Sequence, residues 1–199
     1  QQLVTLSQDS EFLAREGARI NKIINGMRKL SIVRSDKKKH SAHELLKDCT
    51  HIMADLFSQR NYQIEHHFEA GNDLLMLDRD EFVQAVTNMM RNSLQAMDEA
   101  RTTHQLEHGM LKLSTTLEKD TLKIYIEDNG VGISEENQAQ LFKNQFTTKS
   151  PDEGTGLGLG ISRRFIRAYG GDIEFVSSTP YMKTTFCIQI PIYDASSKE

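Results

Sequence analysis

The feature that most constrains the fold is a glycine-rich run that leads directly into a segment of helical periodicity. The run consists of Gly154, Thr155, Gly156, Leu157, Gly158, Leu159 and Gly160. Glycines let backbone N–H groups approach an anion closely, and the positive end of the helix dipole favours negative charge. The run therefore predicts a phosphate-binding loop at the N-terminus of a helix.

Three other motifs precede this loop in a fixed order. Asn88 and Asn92 share one face of a helical segment, because they are four residues apart. Residues 128–133, which read Asp-Asn-Gly-Val-Gly-Ile, follow an apolar strand pattern. A short stretch then contains Phe142, Phe146, Thr147, Thr148 and Lys149. Each motif alone is common, but their order before a glycine-rich loop favours one shared nucleotide site.

This order resembles the catalytic ATP-binding domain of sensor histidine kinases, in the superfamily shared with gyrase, the heat-shock chaperone ATPases and the mismatch-repair ATPases. The resemblance covers residues 40–192 well and residues 1–38 more loosely. It implies an α+β fold of the Bergerat type, a two-layer α/β sandwich with a mixed sheet and helices on one face, preceded by one long helix. Residues 1–38 would then be the second helix of a dimerisation hairpin with its linker, and residues 39–199 the ATP-binding domain.

The resemblance places adenine at the end of the strand before Asp128. A carboxylate there accepts a hydrogen bond from the exocyclic amine of adenine, which selects ATP over GTP, and Gly130 and Gly132 leave room for the purine. Thr185, just before Phe186, matches a threonine that helps the aspartate bind adenine in the family. The alternative for residues 128–130 is a plain Asp-Asn-Gly turn.

At the phosphate end, the resemblance makes Asn92 the Mg²⁺ ligand and Asn88 a support for the phosphate–metal cluster. Amide oxygens are hard donors that suit this metal. Residues 134–155 correspond to a lid that Phe142 and Phe146 anchor by packing, and Lys149 suits the γ-phosphate. The alternatives are a polar surface pair for the asparagines and a solvated loop lysine.

The resemblance thus implies catalytic roles for Asn88, Asn92 and Lys149, with ATP and Mg²⁺ as cofactors. The expected nucleotide contacts are Asn88, Asn92, Asp128, Gly130, Gly132, Ile133, Phe142, Phe146, Thr148, Lys149, Gly154, Thr155, Gly156, Leu157, Gly158, Leu159 and Thr185. Asn144 and Gln145 stand where the family usually has Pro-Phe, so the lid is the segment in which this sequence departs from the family pattern.

Apolar spacing predicts four helices, over residues 3–33, 41–58, 78–100 and 156–169. It also predicts a strand over residues 62–69 and two hairpins, one pairing 110–118 with 121–127 and the other pairing 171–177 with 183–190. Residues 34–41 read as a polar linker. The apolar stripe of the first helix indicates a partner, which is either its own domain or, by resemblance, a second copy in a homodimer.

Charge and composition exclude several other classes of protein. A net charge of −4 and a pI near 6.0 argue against a nucleic-acid binder, which needs a basic face. No apolar run is long enough for a membrane segment, so we expect the cytoplasmic portion of a sensor kinase, whatever anchor the parent carries elsewhere. Cys49 and Cys187 show no metal spacing and fit a reducing cytosol.

The leading functional hypothesis is a kinase module that transfers the γ-phosphoryl group to a histidine and, through it, to a response regulator. One alternative is an ATP hydrolase, but the related hydrolases carry a carboxylate base at the position of Asn88, and an amide cannot take a proton from water. The other is a regulatory nucleotide-binding module without catalysis. His43-Glu44 lacks the proline of the family's phosphoacceptor motif and reads as a solvated helix face, so we expect this chain to be inactive alone.

Overall fold

The computed structural model describes residues 36–104, 106–142 and 158–193. In chain order the elements are β1 (Lys38–Ser41), α1 (Ala42–Ser58), β2 (Gln63–Phe68), β3 (Leu74–Leu77), α2 (Arg79–His104), β4 (Met110–Glu118), β5 (Thr121–Asp128), α3 (Glu135–Gln138), α4 (Gly158–Arg167), β6 (Asp172–Thr179) and β7 (Lys183–Pro191). The helix expected over residues 3–33 and the domain boundary after residue 38 remain predictions, since residues 1–35 lie outside the described part.

A five-stranded mixed sheet forms one layer of the fold, in the order β2-β4-β5-β7-β6. Only β2 and β4 are parallel in this sheet, while β4–β5, β5–β7 and β7–β6 are antiparallel. Along β5 the apolar residues Leu122, Ile124 and Ile126 are buried and alternate with partly exposed polar residues. Since side chains of a strand alternate between faces, one face of the sheet carries the core.

Helices α1, α2 and α4 form the second layer over that apolar face. On α1 the buried residues recur at three- and four-residue steps, from Leu45 through Cys49 and Met53 to Phe57. The helix begins where the sequence predicts, because the Ser41 hydroxyl accepts the Glu44 N–H at 3.2 Å. This two-layer α+β arrangement confirms the expected fold class.

The prediction of a polar linker through residue 41 is wrong for Lys38–Ser41, which form β1. This strand pairs antiparallel with β3, which the sequence analysis did not include. Two exposed lysines at this point in the chain lie over aromatic rings. The Nζ of Lys37 lies 5.0 Å from the centroid of the Tyr169 ring, and that of Lys39 lies 4.2 Å from the Tyr193 ring.

His43 also departs from expectation, because it is half-buried rather than part of a solvated helix face. Its ring stacks on Phe68 at a centroid distance of 4.9 Å and an interplanar angle of 5°. Its Nε2 lies 2.9 Å from the Thr115 Oγ1, and its backbone N–H donates to Asp73 at 2.9 Å. These contacts account for the partial burial of His43 in the first turn of α1.

Both cysteines are buried in the fold. Burial raises the pKa of the Cys49 thiol to about 12 and that of the Cys187 thiol to about 11. Among the described residues, no helix has both the length and the apolar character needed to cross a bilayer.

Candidate nucleotide-binding site

Asp128 is a buried carboxylate at the end of β5, with only 5% of its surface exposed. Its Oδ1 accepts the Gly130 N–H at 3.0 Å, and the Ser93 hydroxyl of α2 donates to the carboxylate as well. Burial raises the pKa of Asp128 to about 6, although these two hydrogen bonds oppose that shift. The carboxylate is therefore fixed in orientation by neutral donors.

The loop that follows Asp128 is packed tightly against α2. A Cβ at Gly130 would lie 2.6 Å from the carbonyl carbon of Ala96, and the Val131 N–H donates to the Ala96 carbonyl at 3.1 Å. The close approach of two backbones is thus a sufficient reason for glycine at position 130, independent of the purine. Asn129 fixes the loop on its other side, since its side chain bonds the backbone of Met110 and His108 at 2.8 and 2.9 Å.

The structure does not bring Thr185 to Asp128. Thr185 pairs with Glu127 in the sheet register and its hydroxyl donates to the Glu127 carboxylate at 3.2 Å, on the face away from Asp128. The residue directly opposite Asp128 on β7 is Thr184. The sequence offers two adjacent threonines, and the register of β5 with β7 decides between them.

Ser178 and Thr184 extend the polar cluster around Asp128. The Ser178 hydroxyl accepts the Ile133 N–H at 2.9 Å and lies 3.0 Å from the Thr184 hydroxyl. Gly132 sits at the same junction with φ of +82°, and a Cβ there would lie 2.7 Å from the Cα of Pro180. The turn between β6 and β7 therefore holds the loop of residues 128–133 in place.

The two asparagines lie on consecutive turns of α2, in different surroundings. Asn88 is half-buried, and its Nδ2 donates to the Ser162 hydroxyl of α4 at 3.4 Å. Ser162 is fully buried and bonds the carbonyls of Ala85 and Gly158, so it joins α2 to the first turn of α4. Asn92 is exposed. Sequence reasoning missed Ser93 and Ser162, whose only signal was a small polar residue on an otherwise apolar helix face.

Phe142 contacts a cation of α4. The guanidinium of Arg163 lies 4.2 Å from the centroid of the Phe142 ring and also binds the Asp172 carboxylate through two hydrogen bonds of 2.6 and 3.0 Å. Arg163 and then Arg167 hold the pKa of Asp172 below its usual range, against the effect of burial. Gly158 and Leu159 form the first turn of α4, while Phe146, Thr148, Lys149, Gly154, Thr155, Gly156 and Leu157 lie outside the described residues.

The residues present fit a purine nucleotide and a hard cation. Asp128 offers a buried acceptor for an amine. Because Asn88 uses its Nδ2 within the protein, its Oδ1 is the atom left for a metal or a bound water. The described residues contain no group of three or more His, Cys, Asp and Glu side chains that could hold a metal. Mg²⁺ is usually bound through one or two protein ligands and several waters.

Comparison with known proteins agrees with this geometry. The sequence profile described as histidine kinase-, DNA gyrase B- and HSP90-like ATPase matches residues 77–194. The chain is 28% identical over 182 residues to the sensor protein FixL of Bradyrhizobium diazoefficiens, a match that covers 91% of this chain and 34% of FixL. The chain thus spans about a third of the length of that relative.

Solved structures of the histidine kinase ThkA have the same fold. Its catalytic domain superposes with a TM-score of 0.63 at 25% identity, covering 78% of this chain and 95% of that one. ThkA in complex with the response regulator TrrA gives a TM-score of 0.69 at 20% identity, covering 92% of this chain and 50% of that one. The chain therefore belongs to the family of histidine kinase-, DNA gyrase B- and HSP90-like ATPases, with an ATPase domain of the kind found in sensor histidine kinases.

Proposed function

We propose that this chain is the ATP-binding catalytic module of a sensor histidine kinase, which transfers the γ-phosphoryl group of Mg·ATP to a histidine on a dimerisation helix. Asp128 is the observation that carries the proposal. A carboxylate that is 5% exposed and held by neutral donors needs a neutral or cationic donor to complete its hydrogen bonding. The exocyclic amine of adenine is such a donor.

The adenine end provides binding and selectivity. Asp128 accepts from the adenine amine, and guanine, which has a carbonyl at that position, would leave the buried carboxylate facing an acceptor. Ser93 and the Gly130 N–H hold the carboxylate in place. Thr184, rather than Thr185, is the threonine beside it.

The phosphate end orients the triphosphate. Asn92 is the proposed Mg²⁺ ligand, and Asn88, oriented by Ser162, supports the same cluster. When bound, the metal neutralises charge on the phosphates. Gly158 begins a helix whose N-terminus favours an anion, and Lys149 with the glycine-rich residues 154–157 is proposed to complete the phosphate contacts.

Asn88 separates this proposal from ATP hydrolysis. A hydrolase needs a general base beside the attacking water, and the Asn88 amide cannot accept that proton. The partly buried amide instead donates a hydrogen bond to Ser162 at 3.4 Å. A regulatory module that binds nucleotide without transfer would use the same adenine end, so only a transfer assay distinguishes it from a kinase.

The proposed partners are suggested by ThkA. That kinase shares the fold of this chain, and its structure has been solved in complex with a response regulator. We propose a response regulator as the onward phosphoryl acceptor and a homodimer formed through the helix predicted over residues 3–33. Mg·ATP is an intracellular substrate, so the proposal carries a cytoplasmic location with it.

Calorimetric titration of the 199-residue chain with ADP and GDP in the presence of Mg²⁺ tests the binding step. We expect clear binding of ADP and at least about tenfold weaker binding of GDP, a difference of about 1.4 kcal/mol. Equal affinities would overturn the assignment of Asp128.

Transfer is tested with the full-length protein and γ-labelled ATP, where we expect acid-labile phosphate on a histidine. Binding without such transfer would favour the regulatory module. Incubated alone with Mg·ATP, the 199-residue chain should remain unlabelled at His43, which is engaged by Thr115 and Asp73.

A further inference from the structure

We propose that Ser178 is a positioning residue for adenine recognition, because it fixes the hydroxyl of Thr184 as a hydrogen-bond donor toward the site. This inference rests on the proposed function and adds a specificity determinant on β6 to it. Ser178 does not touch the base in this arrangement and acts through Thr184.

The contacts of Ser178 join three separate segments of the fold. Its hydroxyl oxygen accepts the Ile133 N–H at 2.9 Å, which holds the end of the loop of residues 128–133. The same oxygen lies 3.0 Å from the hydroxyl of Thr184. Thr184 is only 3% exposed and stands directly opposite Asp128 in the β5–β7 register. Side chains of directly opposed residues on antiparallel strands are close neighbours.

These contacts favour one direction for the hydrogen bonds. The Ser178 oxygen accepts from a backbone amide, and acceptance makes its own O–H a stronger donor. A hydroxyl has one hydrogen to give. When Ser178 gives its hydrogen to the Thr184 oxygen, the Thr184 hydrogen is left to point toward the Asp128 side. The chain then runs from the Ile133 N–H through Ser178 to Thr184.

The result is a donor next to an acceptor, which matches the hydrogen-bonding edge of adenine. Adenine presents its 6-amino group as a donor and N1 as an acceptor, so Asp128 takes the first, and Thr184 serves the second directly or through one water. Guanine and hypoxanthine present the opposite pattern, a 6-carbonyl and an N1–H. Ser178 therefore contributes to selection at N1, while Asp128 selects at the amine.

The test removes the Ser178 hydroxyl and compares three diphosphate ligands by calorimetry. We expect Ser178→Ala to weaken binding of ADP by about tenfold, and binding of purine riboside diphosphate, which keeps N1 but lacks the amine, by a similar factor. Binding of inosine diphosphate should change by less than about twofold. Ser178→Thr keeps the hydroxyl and should restore most of the affinity for ADP.

Ser177→Ala is the matched control. Ser177 is exposed, precedes Ser178 on β6, and pairs with Thr185 of β7 rather than with Thr184. It should bind all three ligands like the wild type. Equal losses for ADP and inosine diphosphate with Ser178→Ala would overturn the inference, as would unchanged ADP binding or the same loss with Ser177→Ala. Wild-type protein that bound neither nucleotide would instead overturn the proposed function, so the two failures are distinct.

Discussion

The two ends of the candidate site differ in the burial and the hydrogen bonding of their residues. At the adenine end, Asp128 and Thr184 are almost completely buried, and their neighbours are tied by hydrogen bonds of 2.9 to 3.0 Å. At the phosphate end, Asn92 is exposed and Asn88 has one hydrogen bond of 3.4 Å to Ser162. The residues of the proposed adenine end are thus held more firmly than the two asparagines of the proposed phosphate end.

From this contrast we infer that, in the proposed kinase, binding and chemistry use separate parts of one site. A rigid, buried pocket lowers the entropic cost of binding, so the adenine end is expected to supply most of the affinity. In the proposed reaction, the phosphate end accommodates a triphosphate before transfer and a diphosphate after it. Changes at the two ends should therefore separate into effects on affinity and effects on rate.

The largest expected effect is that of Asn92→Ala at the phosphate end, measured in the full-length protein. Loss of the proposed Mg²⁺ ligand should slow phosphoryl transfer at saturating Mg·ATP by about a thousandfold, roughly 4 kcal/mol of barrier. Adenosine affinity and melting temperature should stay unchanged, because Ala is a good helix former at an exposed position.

Arg91→Ala is the control for this experiment, since the neighbouring exposed residue points about 100° away on α2. Near-normal transfer by Asn92→Ala at unchanged stability would break the separation of the two ends.

At the adenine end, Asp128→Asn should weaken ADP binding by about a hundredfold, roughly 3 kcal/mol, because an amide donor would face the adenine amine. The melting temperature of the free protein at pH 7.5 should rise, since a buried charge is removed. Asp120→Asn, in the exposed turn at the other end of β5, should change neither quantity. A lower melting temperature for Asp128→Asn would contradict the expectation that the buried charge of Asp128 destabilises the free protein at this pH.

The pH dependence of binding follows from the same carboxylate. The pKa of Asp128 is raised from 3.8 to about 6, so protonation below pH 6 removes the acceptor that the amine needs. Adenosine, which has no phosphate to titrate, should bind about tenfold more weakly at pH 5 than at pH 7.5. Asp128→Asn should abolish this dependence.

The pH dependence of stability has the opposite sign to the pH dependence of adenosine binding. Because the folded protein holds the Asp128 proton more tightly than the unfolded chain, the contribution of Asp128 to stability is fully present below about pH 4 and is lost as the pH rises through 6. In the binding experiment, an adenosine affinity that stayed constant from pH 7.5 to 5 would show that Asp128 is not the acceptor of the adenine amine.

The smallest expected effect is that of Arg163→Met, which removes the cation over the Phe142 ring and the ion pair with Asp172. We expect a loss of about 1 kcal/mol in stability, or a melting temperature lower by roughly 2–4 °C. Adenosine affinity should not change, because neither Phe142 nor Asp172 belongs to the proposed adenine end. Arg164→Met, at the exposed neighbouring position, is the control and should leave the melting temperature within about 1 °C of the wild type.

The fold and the position of Asp128 at the end of a strand were predictable from sequence because both depend on local patterns. Alternation of apolar residues predicted β4 and β5, and three- and four-residue spacing predicted α1. Asp128 stood out because a polar motif ended an apolar strand. Family resemblance then gave it a ligand.

Contacts between distant segments could not be predicted in the same way. The ring contacts of Lys37 and Lys39 were not predictable because their partners, Tyr169 and Tyr193, are far away in sequence. His43 read as exposed because Phe68 and Thr115 reach it only in the folded chain. Thr184 was missed for another reason, since a doubled threonine gives two candidates and only the strand register chooses between them.

The burial of both cysteines has a practical consequence. Cys49 is 0% and Cys187 2% exposed, and their thiols stay protonated at neutral pH, so neither offers the thiolate that reacts with maleimides and similar reagents. The native protein therefore provides a silent background for labelling. A single cysteine placed at the exposed Ser177 would carry a fluorophore beside the adenine end without removal of either natural thiol.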